Sequence, residues 1–253
     1  MKLIINADDF GLSPGQNYGI IDCFKQGVVT ATTLMATGEA FEHACQLALL
    51  NEELDLGVHL TLDAGLPILP KKQIPSLVNG EEFNKYPLEA KTIDVNTLEV
   101  YQEWHAQITK VIDARIQPTH IDSHHHIHMM HSIFPVYIQL AKEFDLAIRF
   151  HPRKWTQKEI LDRQPLLENI KRADVFLNEF YEENIAPAFF DSFAQRKEAT
   201  YEIMCHPAYL DEYILANSSY NMQRVIEAHT LQSEETKDIL HKNSVELIHF
   251  GHL

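Results

Sequence analysis

Five histidines and an aspartate fall within ten residues in the run Thr119-His120-Ile121-Asp122-Ser123-His124-His125-His126-Ile127-His128. Neutral imidazole is the commonest protein ligand for a transition metal. Histidine also costs free energy when it is buried without partners, so packing explains such density poorly. The run therefore reads as a metal or catalytic site, with a hydrogen-bonded core cluster or a polar surface loop as the bland alternative. In an extended segment alternate side chains point to opposite faces. That places His124 and His126 on one side and His125 on the other. Only one or two of His124, His125, His126 and His128 would then touch a metal, the others binding substrate or bracing the loop. Asp122 could orient a ligand from behind it.

Four other segments carry residues able to do chemistry. Asn6-Ala7-Asp8-Asp9-Phe10-Gly11 sets two carboxylates side by side where an apolar stretch ends. Adjacent anions repel unless a cation lies between them, so one could bind a metal while the other faces substrate; a turn or helix cap is the plainer reading. His59 is one polar ring within Gly57-Val58-His59-Leu60-Thr61-Leu62. Alone it would be a satisfied core residue. It becomes a candidate ligand because Asp9 and His124 need a third partner, and two imidazoles with a carboxylate make a familiar hydrolytic metal site. His206, in Met204-Cys205-His206-Pro207, suits a general acid, and neighbouring strand residues point apart, which argues against a Cys205–His206 dyad. Arg149 reads either as part of the site or as a buried salt bridge.

What must position these residues is a repeated alternation of strand and helix. Strands are expected at Lys2 to Ala7, Val28 to Met35, Leu54 to Leu62, Thr119 to Ser123, Ala147 to Phe150, Asp174 to Leu177, Thr200 to Cys205 and Glu246 to Phe250. Helices are expected from Pro14 to Gln26 (Ser13 capping, Gly27 stopping), Glu39 to Leu50, Asn96 to Ile116, Ile133 to Phe144, Tyr220 to Leu231 and Glu234 to Asn243. The alternation predicts an α/β fold with a parallel sheet, closed into an irregular (β/α) TIM-like barrel; a doubly wound open sheet is the alternative. Every candidate residue then lies at the carboxyl end of a strand, the face where such folds carry active sites. Residues 63–95, with Pro67, Pro70, Pro75 and Pro87, form a long insertion that could be a lid or substrate loop.

At 253 residues and 45% hydrophobic composition, one domain covering 1–253 is the economical reading. A net charge of -15, from 36 acidic and 21 basic residues, disfavours nucleic acid and anionic membrane as partners. No apolar run is long enough to span a bilayer, and no signal peptide is expected. Three widely spaced cysteines, Cys23, Cys45 and Cys205, fit neither a disulfide framework nor a thiolate metal site. The cytoplasm is the expected compartment. A homodimer is expected only from the general frequency of two-fold assemblies.

Together these segments resemble the YdjC-like carbohydrate deacetylases, which include the chitooligosaccharide deacetylases. The match runs through nearly the whole chain, in Asn6 to Ser13, Gly15 to Ile20, Val29 to Thr33, Gly57 to Leu60, Pro118 to His128 and Met204 to Ala208. The resemblance implies a barrel-like fold related to polysaccharide deacetylases and a divalent metal held by an Asp-His-His set. Carried over by position, the ligands would be Asp9, His59 and His124, with Asp8 as general base, His206 as acid and Arg149 orienting Asp8. It implies magnesium; the ligand chemistry alone suits zinc, cobalt or iron(II). The implied reaction is removal of an N-acetyl group from an amino sugar such as diacetylchitobiose or its 6-phosphate. A metal-dependent sugar phosphoesterase is one alternative, though no second complete metal set and no Gly-rich phosphate cradle is visible. The other is a metal-dependent sugar-binding protein without turnover.

Overall fold

The computed structural model describes residues 1–87, 89–152 and 155–253. Its centre is β1 (Lys2–Phe10), buried from Leu3 to its end. Seven further parallel strands surround it: β2 (Ala31–Leu34), β3 (Asp55–Leu60), β6 (His120–Ser123), β7 (Ala147–Ile148), β8 (Val175–Leu177), β9 (Thr200–Cys205) and β10 (Glu246–Leu247). They run in the order β7-β6-β3-β2-β1-β9-β8. β10 pairs with β1 at Lys2 and Leu3, on the edge that β2 takes over from Asn6 onward.

The sheet curls strongly. Asn6 on β1 hydrogen-bonds the His120 ring on β6, across the two intervening strands, at 3.0 Å. Curling divides the buried apolar residues. The main core lies between the outer face of the sheet and the helices. A small separate cluster of Ile4, Ala31, Ala147, Ile248 and Phe250 fills the amino-terminal end of the barrel interior. Among the described residues β7 and β8 do not pair, so the barrel, expected to close, stays open there; Ile148 N–H donates to the Lys171 carbonyl at 2.9 Å across the gap.

Helices α1 (Pro14–Gln26), α2 (Phe41–Leu49), α3 (Thr97–Asp113), α4 (Phe134–Glu143), α7 (Met222–Gln232) and α8 (Glu234–Lys242) fall where the sequence pattern puts them, within a few residues. Ser13 caps α1, Asn96 caps α3 and Ser233 caps α8, each by accepting a first-turn N–H. Two short helices, α5 (Gln157–Arg163) and α6 (Glu212–Asn217), escape the pattern because they are too short to show a period. Among the described residues no helix is long and apolar enough to cross a membrane.

The insertion at 63–95 is anchored rather than loose. It contains a two-stranded hairpin, β4 (Val78–Asn79) with β5 (Glu82–Phe83), and buries Ile74, Leu77, Val78 and Phe83 in the main core. From α3, buried Glu103 accepts the N–H groups of Ile68 and Leu69, both at 2.9 Å, and Glu99 accepts Ser76 N–H and Oγ at 2.7 Å.

Candidate metal and catalytic centre

Strand alternation turns Asp8 to the barrel interior with Ile4 and Asn6, and would turn Asp9 away. The backbone overrules this. Asp9 has φ +68°, and the β1–β2 register shifts between Ala7 and Phe10. Aspartate tolerates this left-handed region better than most residues. The kink brings both carboxylates to the same mouth.

There Asp9 meets two imidazoles from other strands. Its Oδ1 lies 3.3 Å from His59 Nε2 on β3 and 3.1 Å from His124 Nδ1 after β6. One donor atom from each of the three residues lies within 4.8 Å of the others. On its far side the His59 ring meets Asp122, Nδ1 to Oδ1 at 2.7 Å, and Thr33 Oγ1 lies 3.2 Å from both Nδ1 and Asp122 Oδ2. Such a carboxylate behind a ligating histidine fixes ring orientation and tautomer. With Nδ1–H given to Asp122, neutral His59 would face Asp9 acceptor to acceptor, an arrangement that only a proton or a metal ion between them makes favourable. Burial alone would depress the His59 pKa, but Asp122, Asp9 and Asp8 reverse this and raise it to about 10. Burial opposes ionisation of Asp9 too, yet Arg224 and the two histidines hold its carboxyl well below the usual range. With His59 neutral, the carboxylates of Asp8, Asp9 and Asp122 outnumber the two guanidiniums paired with them, and the donor set suits a divalent cation.

Arg149 is the hub beneath. It follows β7, is fully buried, and grips Asp8 with both terminal nitrogens, Nη1 to Oδ2 at 2.6 Å and Nη2 to Oδ1 at 2.7 Å. It also meets Asp122 at 2.8 Å and, through Nε, Glu202 on β9 at 2.6 Å. Asn6 Nδ2 donates to Asp8 Oδ1 at 2.9 Å. A carboxylate offers about four acceptor positions, so Asp8 keeps one, on Oδ2. Burial pushes Glu202 up to about 7 against the pull of Arg149.

The histidine run is not extended beyond Ser123. His124–Met129 form a tight turn in which His125 and His126 take left-handed φ of +51° and +54°. The expected sharing of one face by His124 and His126 is therefore corrected: the turn sends each ring its own way. His124 faces Asp9. His125 pairs with Asp63 at the start of the insertion, Nδ1 to Oδ2 at 2.8 Å, and its ring packs tilted against His124, centroids 3.9 Å apart. His126 packs against His151 and Phe176, its Nδ1 buried without a hydrogen-bond partner. His128 lies entirely in the core, bonded to Ser123 Oγ at 2.6 Å and packed on Tyr137. A cavity of ≈ 70 Å³ beside the turn is lined by Lys91, His125, His126, Met130, His151 and Trp155, among others.

His206 follows β9. Its backbone N–H donates to Glu227 Oε2, its Nδ1 lies 3.9 Å from Glu227 Oε1, and Tyr220 donates to that same oxygen. Burial drives the His206 ring down to about 4 and the Glu227 carboxyl up to about 8. The pair therefore holds one proton over the neutral range, on the carboxyl.

Sequence reasoning missed Glu202, Arg224 and Glu227. Glu202 left a signal, a lone carboxylate inside the buried strand Thr200-Tyr201-Glu202-Ile203-Met204-Cys205. Arg224 and Glu227 sit on α7, where charged residues ordinarily mark the solvent face.

Comparison with known proteins supplies independent context. A family model described as "YdjC-like protein" matches residues 2–242. A carbohydrate deacetylase of Clostridium beijerinckii is 40% identical over 254 residues, covering 99% of each chain. A chitooligosaccharide deacetylase of Salmonella paratyphi B is 38% identical over 241 residues, 93% of this chain and 92% of its own. A crystal structure from Enterococcus faecalis V583, provisionally named a cellobiose-phosphate cleavage protein, superposes with a TM-score of 0.90 at 35% identity, covering 99% of this chain and 98% of that one.

Proposed function

Because this chain belongs to the YdjC-like protein family, we propose that it hydrolyses the N-acetyl group of an acetylated amino sugar, with a divalent ion held by Asp9, His59 and His124. The observation that carries the reading is the meeting of those three donors, from three strand ends, beside a carboxylate locked by Arg149. The donor set fits such an ion. When bound there it would supply Lewis-acid polarisation of the acetyl carbonyl.

The protein's own groups do the rest. Asp8 uses its one open acceptor position to take a proton from the attacking water, while Arg149 and Asn6 fix its plane. Asp122 holds the His59 ring. The Glu227 carboxyl proton passes first to the His206 ring and from it to the leaving amine, a transfer that requires Nδ1 to close on Glu227 Oε1 from its 3.9 Å separation. The cavity beside His125 and His126, with Trp155 and Met130 for the apolar face of a sugar and Lys91 at its rim, is where a further ring of a chitooligosaccharide would lie. The anchored insertion is a fixed wall of that cleft.

An acetate-release assay tests the reading. Chelated protein is resupplied with magnesium or zinc and offered acetylated mono- and disaccharides, phosphorylated and not. Metal-dependent acetate release from an acetylated disaccharide is expected. Phosphate release without acetate would replace the reading with a phosphoesterase, and metal-dependent binding without either product would leave a sugar-binding protein.

A further inference from the structure

Asp9 is held on both sides. Its Oδ1 faces the two imidazoles, and its Oδ2 accepts Arg224 Nη1 at 2.9 Å. Arg224 has little freedom to leave. It is 5% exposed, its Nη1 also meets Gln16 Oε1 at 2.8 Å, and its Nε donates to the Tyr220 carbonyl at 2.8 Å. Gln16 in turn donates to the Asp8 carbonyl at 3.1 Å. The bracket therefore ties α7 and α1 to the kink that presents both aspartates.

From this geometry, and resting on the assignment of Asp9, His59 and His124 as ion ligands, we propose that Arg224 is a positioning residue that confines Asp9 to one-oxygen coordination and weakens its hold on the ion. A guanidinium bonded to Oδ2 removes that oxygen from the ion's reach. It also draws charge from the carboxylate, so Asp9 neutralises the ion less. Its own positive charge, one carboxylate away, repels a cation through a poorly screened interior. The ion is held more loosely and keeps more of its charge for the carbonyl it polarises. Tight binding is given up for Lewis acidity.

The test measures Zn²⁺ affinity of the full chain by competition with a chromophoric chelator, and the visible spectrum of the Co²⁺-loaded protein. Removing the charge in Arg224→Gln should tighten Zn²⁺ binding by about tenfold or more, alter the Co²⁺ spectrum as a second oxygen reaches the ion, and lower kcat. Arg224→Lys, which keeps the charge, should bind Zn²⁺ like wild type. A folded Arg224→Gln protein with unchanged or weaker Zn²⁺ affinity overturns the proposal. Should that variant not fold, a crystal structure of Zn²⁺-loaded wild type decides: Oδ1 alone on the ion and Oδ2 on Arg224 supports it, and two-oxygen ligation by Asp9 overturns it. If wild type binds no Zn²⁺, or His124→Ala binds it equally well, the ligand assignment itself fails, a separate result.

Discussion

His59 and His120 lie on the neighbouring strands β3 and β6, both inside the barrel and both buried, yet they are driven in opposite directions. At the amino-terminal end, the His120 ring stacks on Phe250 at 3.7 Å, Nε2 meets Asn6 and Nδ1 meets Thr119 Oγ1 at 2.8 Å. Asp55 nearby accepts from Thr119 Oγ1 and the Phe250 N–H, each at 2.7 Å. Both ring nitrogens of His120 have a polar neighbour, and burial pushes the ring down to about 4. At the carboxyl-terminal end, Asp8, Asp9 and Asp122 crowd around His59 and His124, and even Arg149 and Arg224 leave His59 raised to about 10. The residue types are the same. What distinguishes a site from a structural cluster is the surplus of acceptors over donors, which makes room for a cation.

The sharpest break of that contrast is Asp8→Asn. If the mouth is the reactive end, acetate release should fall by about 10²–10⁴-fold while Zn²⁺ stoichiometry stays at the wild-type value. Near-normal turnover would remove Asp8 as the base. The matching change at the other end is His120→Ala. It opens a cavity beneath Phe250 and strands Asn6, so it should cost about 3 kcal/mol of stability in a denaturant titration. Residual kcat and Zn²⁺ affinity should stay within a few-fold, and a large loss of Zn²⁺ would erase the division between the two ends.

Much of this was readable in the sequence, for a physical reason. A buried parallel strand is an unbroken apolar run, so Asp, His or Glu within one is conspicuous. Asp8, Asp9 and His59 stand out in this way, and Glu202 would have done with equal attention; Asp122 and His124 stand out by the density of the histidine run instead. Strand ends of a parallel α/β sheet share one face, which is why residues over a hundred positions apart meet. Backbone exceptions hid the rest. Nothing in the residue types announces the left-handed φ of Asp9, His125 and His126, and these decide where four rings and a carboxylate point. The buried partners on α7 were hidden by helical camouflage, since Arg224 and Glu227 look like solvent-facing charges until Gln16, Asp9 and His206 are placed against them. The insertion read as a lid or substrate loop from its length alone, and the sequence does not show its anchors because Glu99 and Glu103 lie outside it, on α3.

Gly57 links the two ends, because it lies on β3 two residues before His59 and against His120. A Cβ there would come within 2.6 Å of the His120 ring and of its carbonyl oxygen. Gly57→Ala should therefore overpack the lower end and cost about 2 kcal/mol. Zn²⁺ affinity should change by less than the His124→Ala loss by a wide margin. A loss of Zn²⁺ as complete as in His124→Ala would mean that strain passes along β3 and that the two ends are one unit.

The smallest expected effect concerns protons. His206 at the mouth and His120 below are both depressed to about 4, but only His206 has a raised carboxyl beside it, Glu227 at about 8. The lower end should thus be silent in the working range while the mouth titrates. The sign follows from Glu227: its folded value lies above the unfolded 4.5, so the proton and the stability it confers are fully present below 4.5 and lost as pH rises through about 8. Two measurements should meet at one pH. The melting temperature should decline between about 4.5 and 8 and level off there, and the pH profile of kcat/KM should fall by about tenfold per unit above about 8. Glu227→Gln keeps the shape and cannot ionise, so its melting temperature should lose that decline, and its residual turnover should lose the alkaline limb because no titrating carboxyl remains to feed His206. An alkaline limb that persists unchanged in Glu227→Gln would assign the proton to another group and leave His206 without its source.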